Sequence, residues 1–383
     1  MKYQKFGRLD WEISAVSLGA MQIPALTAQT GTIDADDAKR RIAAIRSAID
    51  HGVNFIGLGF PYLQENPAGR CAYIAEALTD GYRERIRTAI SIPVCGVDKT
   101  EELDRYLANQ LEWYGLPDSE FLMLDGVNRL TWEKLRRLGI RAWLEKVLGL
   151  NKARYVGFSF HDDCQILQQI IDDFNNWTFV QFEYSMVDYR HHPGISGLET
   201  AAKNGLGVII SGGLKDGRLL QHIPDSVQTV WDEANEKRTP AEWSLRWIYN
   251  HAGLSTVNFE LDTPERVCQL LSIAENCAPD MLDVFELLRA GKLRDLYNSR
   301  RAIQCTACRC CMPCPIGIDA PRIIELYNDA MMYDNHEIPR FVYRLEGHQK
   351  SKCTGCGICQ SNCPKKFPLT DLIAKAAELF VPL

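Results

Sequence analysis

Between about residue 10 and residue 275, short apolar runs alternate with longer stretches in which apolar residues return every three or four positions. A period near 3.6 turns one helical face to a core, whereas a short unbroken apolar run suits a strand buried on both faces. The first pair is clear. Residues 36–50 carry Ile42, Ile45 and Ile49 on one face, acidic residues at 34, 36 and 37 favour the helix start, and Gly52 closes the helix before a strand at 53–56. The same pattern places strands at 15–18, 86–90, 121–124, 154–157, 179–182, 208–210 and 255–258, which makes eight in all.

Eight strands with intervening helices match a TIM (β/α)8 barrel better than an open doubly wound sheet, and no strand runs into a G-x-G-x-x-G turn. The expected fold is α/β, a barrel over residues 1–285, then a helical connector at 286–302 and a small α-helical module at 303–383. Within the module, residues 321–332 read as a helix between two cysteine clusters. Reactive groups of such a barrel belong just after its strands, on the C-terminal face. That face should carry Tyr62, Ser91, Cys95, Asp125, Asn128, His161, Glu183 and Tyr184, with His191 and His192 in a polar loop.

Composition changes little until the cysteines are counted. The chain has 383 residues, 46% of them apolar, and a formal charge of −6, so it reads as globular with no basic character suited to nucleic acid. Its apolar runs are far shorter than the ~20 residues that span a bilayer, and its first residues lack a signal peptide's apolar core. The expectation is a cytoplasmic protein with neither membrane nor nucleic-acid partners. Of 14 cysteines, nine lie between Cys305 and Cys363. That uneven placement points to metal rather than disulfides.

Cys305, Cys308, Cys311 and Cys314 form one C-x-x-C-x-x-C-x-x-C-P run, and Cys353, Cys356, Cys359 and Cys363 form another with one extra residue before the last cysteine. Runs of this kind grip [4Fe-4S] clusters, and in two-cluster ferredoxins the fourth cysteine crosses to the other cube. The expected sets are therefore Cys305, Cys308, Cys311 and Cys363, and Cys353, Cys356, Cys359 and Cys314. Zinc sites share the C-x-x-C spacing, but the triple run with its proline favours iron–sulfur clusters. Cys310 is surplus and is expected to be a buried neighbour, while Cys71, Cys95 and Cys164 read as packing thiols.

Several barrel segments carry a resemblance: the opening residues 1–21, residues 52–56, the segment Tyr155 to His161, residues 180–185 and residues 245–248. Together they resemble the aldo/keto reductase superfamily, and barrel plus cysteine tail resembles its iron–sulfur branch. The resemblance implies a tyrosine acid flanked by aspartate, lysine and histidine, with NADPH as hydride donor. Tyr62 keeps its place, but Gly57 stands for the aspartate, Ser91 for the lysine and Asp125 for the histidine. A carboxylate beside Tyr62 would raise its pKa by like-charge repulsion, opposite to what a lysine does.

The resemblance also makes Ser159 and Gln181 the residues that hold a nicotinamide amide. The loop after the last strand carries Glu260 and Asp262, which would repel a cofactor phosphate, so the residues argue against NADP(H). Tyr62 remains the candidate proton donor, Asp125 a base or an anchor for a cationic group, and His161 a proton relay. The expected function is an iron–sulfur oxidoreductase acting, under anaerobic conditions, on a small organic substrate. Electrons would pass through two [4Fe-4S] clusters, exchanged with a partner such as ferredoxin or another reductase. The alternatives are a non-catalytic electron carrier docking a partner enzyme, and an NADP-dependent reductase with relocated catalytic groups.

Overall fold

All eight expected strands form, and they close on themselves. The computed structural model describes residues 1–20, 33–62, 64, 66–220, 223–260, 263–305, 308–350 and 352–381. Its chain divides into two units, residues 1–215 with 238–287, and residues 216–237 with 288–383.

The first unit opens with a hairpin, β1 (Tyr3–Lys5) and β2 (Glu12–Ser14), paired antiparallel with Tyr3 opposite Ser14. The barrel strands follow: β3 (Val16–Ala20), β4 (Phe55–Leu58), β5 (Arg87–Pro93), β6 (Ser119–Val127), β7 (Ala153–Phe160), β8 (Trp177–Glu183), β9 (Gly207–Ser211) and β10 (Thr256–Phe259). They form a closed parallel barrel in chain order, β10 pairing with both β9 and β3. Helices α1 (Ala35–Asp50), α2 (Pro67–Ala77), α3 (Thr100–Trp113), α4 (Arg129–Arg137), α5 (Ile140–Gly149), α6 (Cys164–Asp173) and α7 (Gly194–Lys203) lie between successive strands. The start of α1 shows the chemistry read from sequence, with Asp34 accepting from the backbone amides of Asp36 and Asp37.

The hairpin had no sequence signal, and it plugs the barrel. Phe6 and Ile13 are fully buried against Phe55, Ala89, Phe121 and Phe179, in the N-terminal halves of their strands, and Ile209 at the middle of β9. The Phe6 ring lies 5.6 Å from both Trp11 and Phe121, edge to face. With that end filled, the C-terminal ends of the strands are left for chemistry.

The second unit takes α8 (Asp225–Asp232) from the segment after β9, whereas α9 (Pro240–Tyr249) and α10 (Pro264–Glu275) belong to the first. The long helix α11 (Val284–Ser299) spans the division between the units. Beyond it come α12 (Ala320–Tyr333), α13 (Glu337–Leu345), α14 (Ile358–Asn362) and α15 (Leu369–Phe380). Ile323, Ile324, Leu372, Ile373, Ala376 and Phe380 make a small apolar core, and six of the nine clustered cysteines lie in or against it. Among the described residues, no helix is long and apolar enough to cross a membrane.

Candidate functional site

Asp125 sits where β6 breaks step with β7, the register shifting between Leu124 and Val127. Gly126 allows this with φ of +89°, a conformation that strains a side chain, and a bulge of this kind re-aims the neighbouring side chain. The amide of Gly126 donates to Ser159 Oγ at 2.8 Å. Ser159 in turn donates to Asp125 Oδ1 at 2.7 Å, and the Tyr62 hydroxyl donates to Oδ2 at 2.8 Å. One half-buried carboxylate thus holds two hydroxyls delivered from different strands.

The electrostatic consequence for Tyr62 follows directly. Burial first, and then the Asp125 charge, holds the phenol well above the usual tyrosine range. Its hydroxyl is engaged by a carboxylate and holds its proton tightly, so Tyr62 is a poor acid toward a carbonyl oxygen. Cys95 is exposed rather than packed away, yet desolvation by its surroundings together with the Asp125 charge raises its pKa as well. His161 is exposed; its amide bonds Val127 O at 2.9 Å, and its ring makes no hydrogen bond among the described residues. Gln181 is half-buried on β8, in register with Ser159. The structure therefore brings Tyr62, Asp125 and Ser159 into one network and leaves His161 outside it.

Other acidic side chains near the strand ends are paired with cations. Asp162 takes Arg129 at 2.6 Å, and Glu183 and Asp188 take Lys215 at 2.8 and 3.1 Å. Glu260 takes Arg41 Nη1 at 3.0 Å, which offsets the repulsion expected of that carboxylate toward a phosphate. Asp262, the other carboxylate of that argument, lies outside the described residues. Lys215, 5% exposed and at φ of +48°, had no sequence signal, since a lysine in a loop ordinarily reads as solvated. The bulge had one, because an Asp-Gly pair inside a strand pattern marks such a break.

In the second unit Cys311 and Cys363 are buried, Cys305, Cys314, Cys353 and Cys359 are intermediate, and Cys308 and Cys356 are exposed. No disulfide joins any of them. Burial pushes the Cys311 thiol up to about 11, with further upward contributions from Cys305, Cys359 and Cys308. Burial likewise raises Cys359, and Cys353, Cys356 and Cys314 add to it. Cys310 is raised by Cys308 and, more weakly, by Cys363. Cys363 of the second run thus acts on Cys310 of the first, Cys314 of the first acts on Cys359 of the second, and Cys359 acts on Cys311. Contrary to the expectation of a buried neighbour, Cys310 is exposed; Arg309, at φ of +58°, turns the chain so that Cys311 goes inward instead.

These thiols fit [4Fe-4S] clusters. Crowded sulfurs that resist ionisation alone are stabilised as thiolates by a multiply charged metal centre. Gly355 and Gly357, at φ of +70° and +72°, tighten the loop that presents Cys353, Cys356 and Cys359.

A plugged barrel with a polar network at its strand ends, joined to a thiol-rich module, has the two parts of a redox protein. The chain belongs to the aldo/keto reductase family, whose model matches residues 15–281. A 4Fe-4S dicluster domain matches residues 304–368. The fold is similar to that of an aldo-keto reductase from Klebsiella pneumoniae solved in complex with NADPH, at 20% identity and a TM-score of 0.58, covering 76% of this chain and 95% of that one. It is likewise similar to aldo-keto reductase AKR11C1 from Bacillus halodurans, at 18% identity and a TM-score of 0.59, covering 76% and 96%. No curated protein matches the chain.

Proposed function

We propose that the chain is an iron–sulfur oxidoreductase whose organic substrate sits at the barrel mouth and whose electrons travel through two [4Fe-4S] clusters. The expected ligands are Cys305, Cys308, Cys311 and Cys363 for one, and Cys353, Cys356, Cys359 and Cys314 for the other. The observation that carries this reading is the pair of C-x-x-C-x-x-C runs, each ending in a cysteine followed by proline, within residues that match a 4Fe-4S dicluster domain. When bound, such clusters supply one-electron exchange.

The barrel's share is substrate handling. Asp125 is the group at the mouth that can hold or accept a proton, with Tyr62 and Ser159 orienting it through their hydroxyls. Exposed His161 is suited to relaying protons between this mouth and water. An adaptor without chemistry would have no use for a carboxylate set on a bulge by two hydroxyls, and that supports an enzyme over a carrier.

The test is an anaerobic assay comparing a one-electron donor, reduced ferredoxin or viologen, with NADPH. Turnover with the former and not the latter is expected; efficient aldehyde reduction driven by NADPH would overturn the reading. One observation favours the NADP-linked alternative, the Arg41–Glu260 pair that neutralises the phosphate-repelling loop. Titration with NADPH, followed by protein fluorescence, decides that point.

A further inference from the structure

We propose that the barrel mouth selects an organic substrate carrying a positive charge, a protonated amine or a quaternary ammonium, with Asp125 as its anchor. The inference rests on the proposed reading of the mouth as a substrate pocket. Its basis is a contrast among carboxylates. Asp162 holds Arg129, Glu183 and Asp188 share Lys215, and Glu260 holds Arg41. Asp125 has no ion-pair partner among the described residues; the hydrogen bonds it accepts come from the neutral hydroxyls of Tyr62 and Ser159.

A half-buried carboxylate gains from a counter-ion, and hydroxyls supply dipoles but no opposing charge. Burial and the Asp125 charge keep Tyr62 and Cys95 protonated and neutral, so neither supplies a counter-ion, and the nearby Lys134 ammonium is engaged by Cys95 O and Asp98. The Tyr62 ring, steadied by the Phe60 ring at 5.1 Å, adds a π face of the kind that attracts ammonium groups. An inorganic cation suits the place less well. Hard cations gather six or more oxygens, and the oxygens that meet at Asp125 are its own carboxylate and two hydroxyls.

Benzylammonium, benzyl alcohol and benzoate share a ring and differ in charge. Calorimetry on the full-length, iron-loaded chain, kept anaerobic and without an electron donor, compares their binding. Benzylammonium should bind at least ~10-fold more tightly than benzyl alcohol, with benzoate weakest. Asp125→Asn should abolish the preference and leave the alcohol's affinity in place, while Tyr62→Phe and Ser159→Ala, which keep the carboxylate, retain it. Equal binding of ammonium and alcohol, binding of none of the three, or a preference that survives in Asp125→Asn would each overturn the proposal. If Asp125→Asn does not fold, the wild-type ratio alone decides. No turnover is involved, so a failed viologen assay counts against the redox reading only, and equal binding with turnover intact counts against the charge preference only.

Discussion

The Tyr62 hydroxyl lies 2.8 Å from Asp125 Oδ2 and donates to it. In a barrel built for hydride chemistry, a lysine would make this phenol more acidic; here a carboxylate makes it less so. The order of importance of the two residues is therefore reversed. Removing the phenol oxygen takes away a positioning contact, whereas removing the charge takes away the reactive group. In donor-driven anaerobic turnover, Tyr62→Phe should lower kcat/KM by no more than about 10-fold, and Asp125→Asn by about 100-fold or more. The opposite ranking would restore Tyr62 as the acid.

Much of this arrangement was legible beforehand, and the reasons differ by element. The eight strands were visible because strands buried on both faces read as unbroken apolar runs. The hairpin β1–β2 was not, since three residues per strand leave no alternation to detect. Tyr62 and Asp125 could both be set at strand ends, after β4 and on β6, but the re-aiming of Asp125 by the bulge at Gly126 could not. The Lys215 cluster could not be seen at all. Pairing of β8 with β9 and the turn beyond β9 bring together Glu183, Asp188 from the following loop and Lys215.

Phe6 shows what the hairpin contributes. It is fully buried and touches the rings of Trp11, Phe55, Phe121 and Phe179. Phe6→Ala leaves a cavity ringed by aromatic side chains that cannot collapse into it, and should cost about 3–5 kcal/mol. Urea unfolding followed by far-ultraviolet circular dichroism measures this, and a loss below about 1 kcal/mol would show that the plug is dispensable.

Asp162 gives the barrel a pH dependence. Burial works against its ionisation, but the Arg129 guanidinium and the amides of Arg129 and Asp163 outweigh it and hold the carboxyl below the usual aspartate value. A folded pKa lower than the unfolded one means that stabilisation is complete above about pH 4 and is lost as pH falls through the depressed folded value. Asp162→Asn should therefore destabilise by about 1–3 kcal/mol at neutral pH. The gap between variant and wild type should close as the solution is acidified. A gap that stays constant down to acid pH would mean that packing, and not charge, accounts for the loss.

The crossed assignment of the cysteines makes a prediction that single substitutions cannot imitate. Cys314 belongs by sequence to the first run, yet it acts on Cys359 together with Cys353 and Cys356 of the second. Cys314→Ser and Cys353→Ser should each lower the iron content from about eight atoms per chain to about four, because each removes a ligand from one cluster. Their combination should still leave about four, since both strike the same cluster, whereas Cys314→Ser with Cys305→Ser should leave almost none. Cys310→Ser, at an exposed thiol outside both expected sets, should keep the full complement. Iron and sulfide analysis of protein purified without air reads all of these. If Cys314→Ser pairs non-additively with Cys305→Ser instead, the ligands do not cross, and each run holds its own cluster.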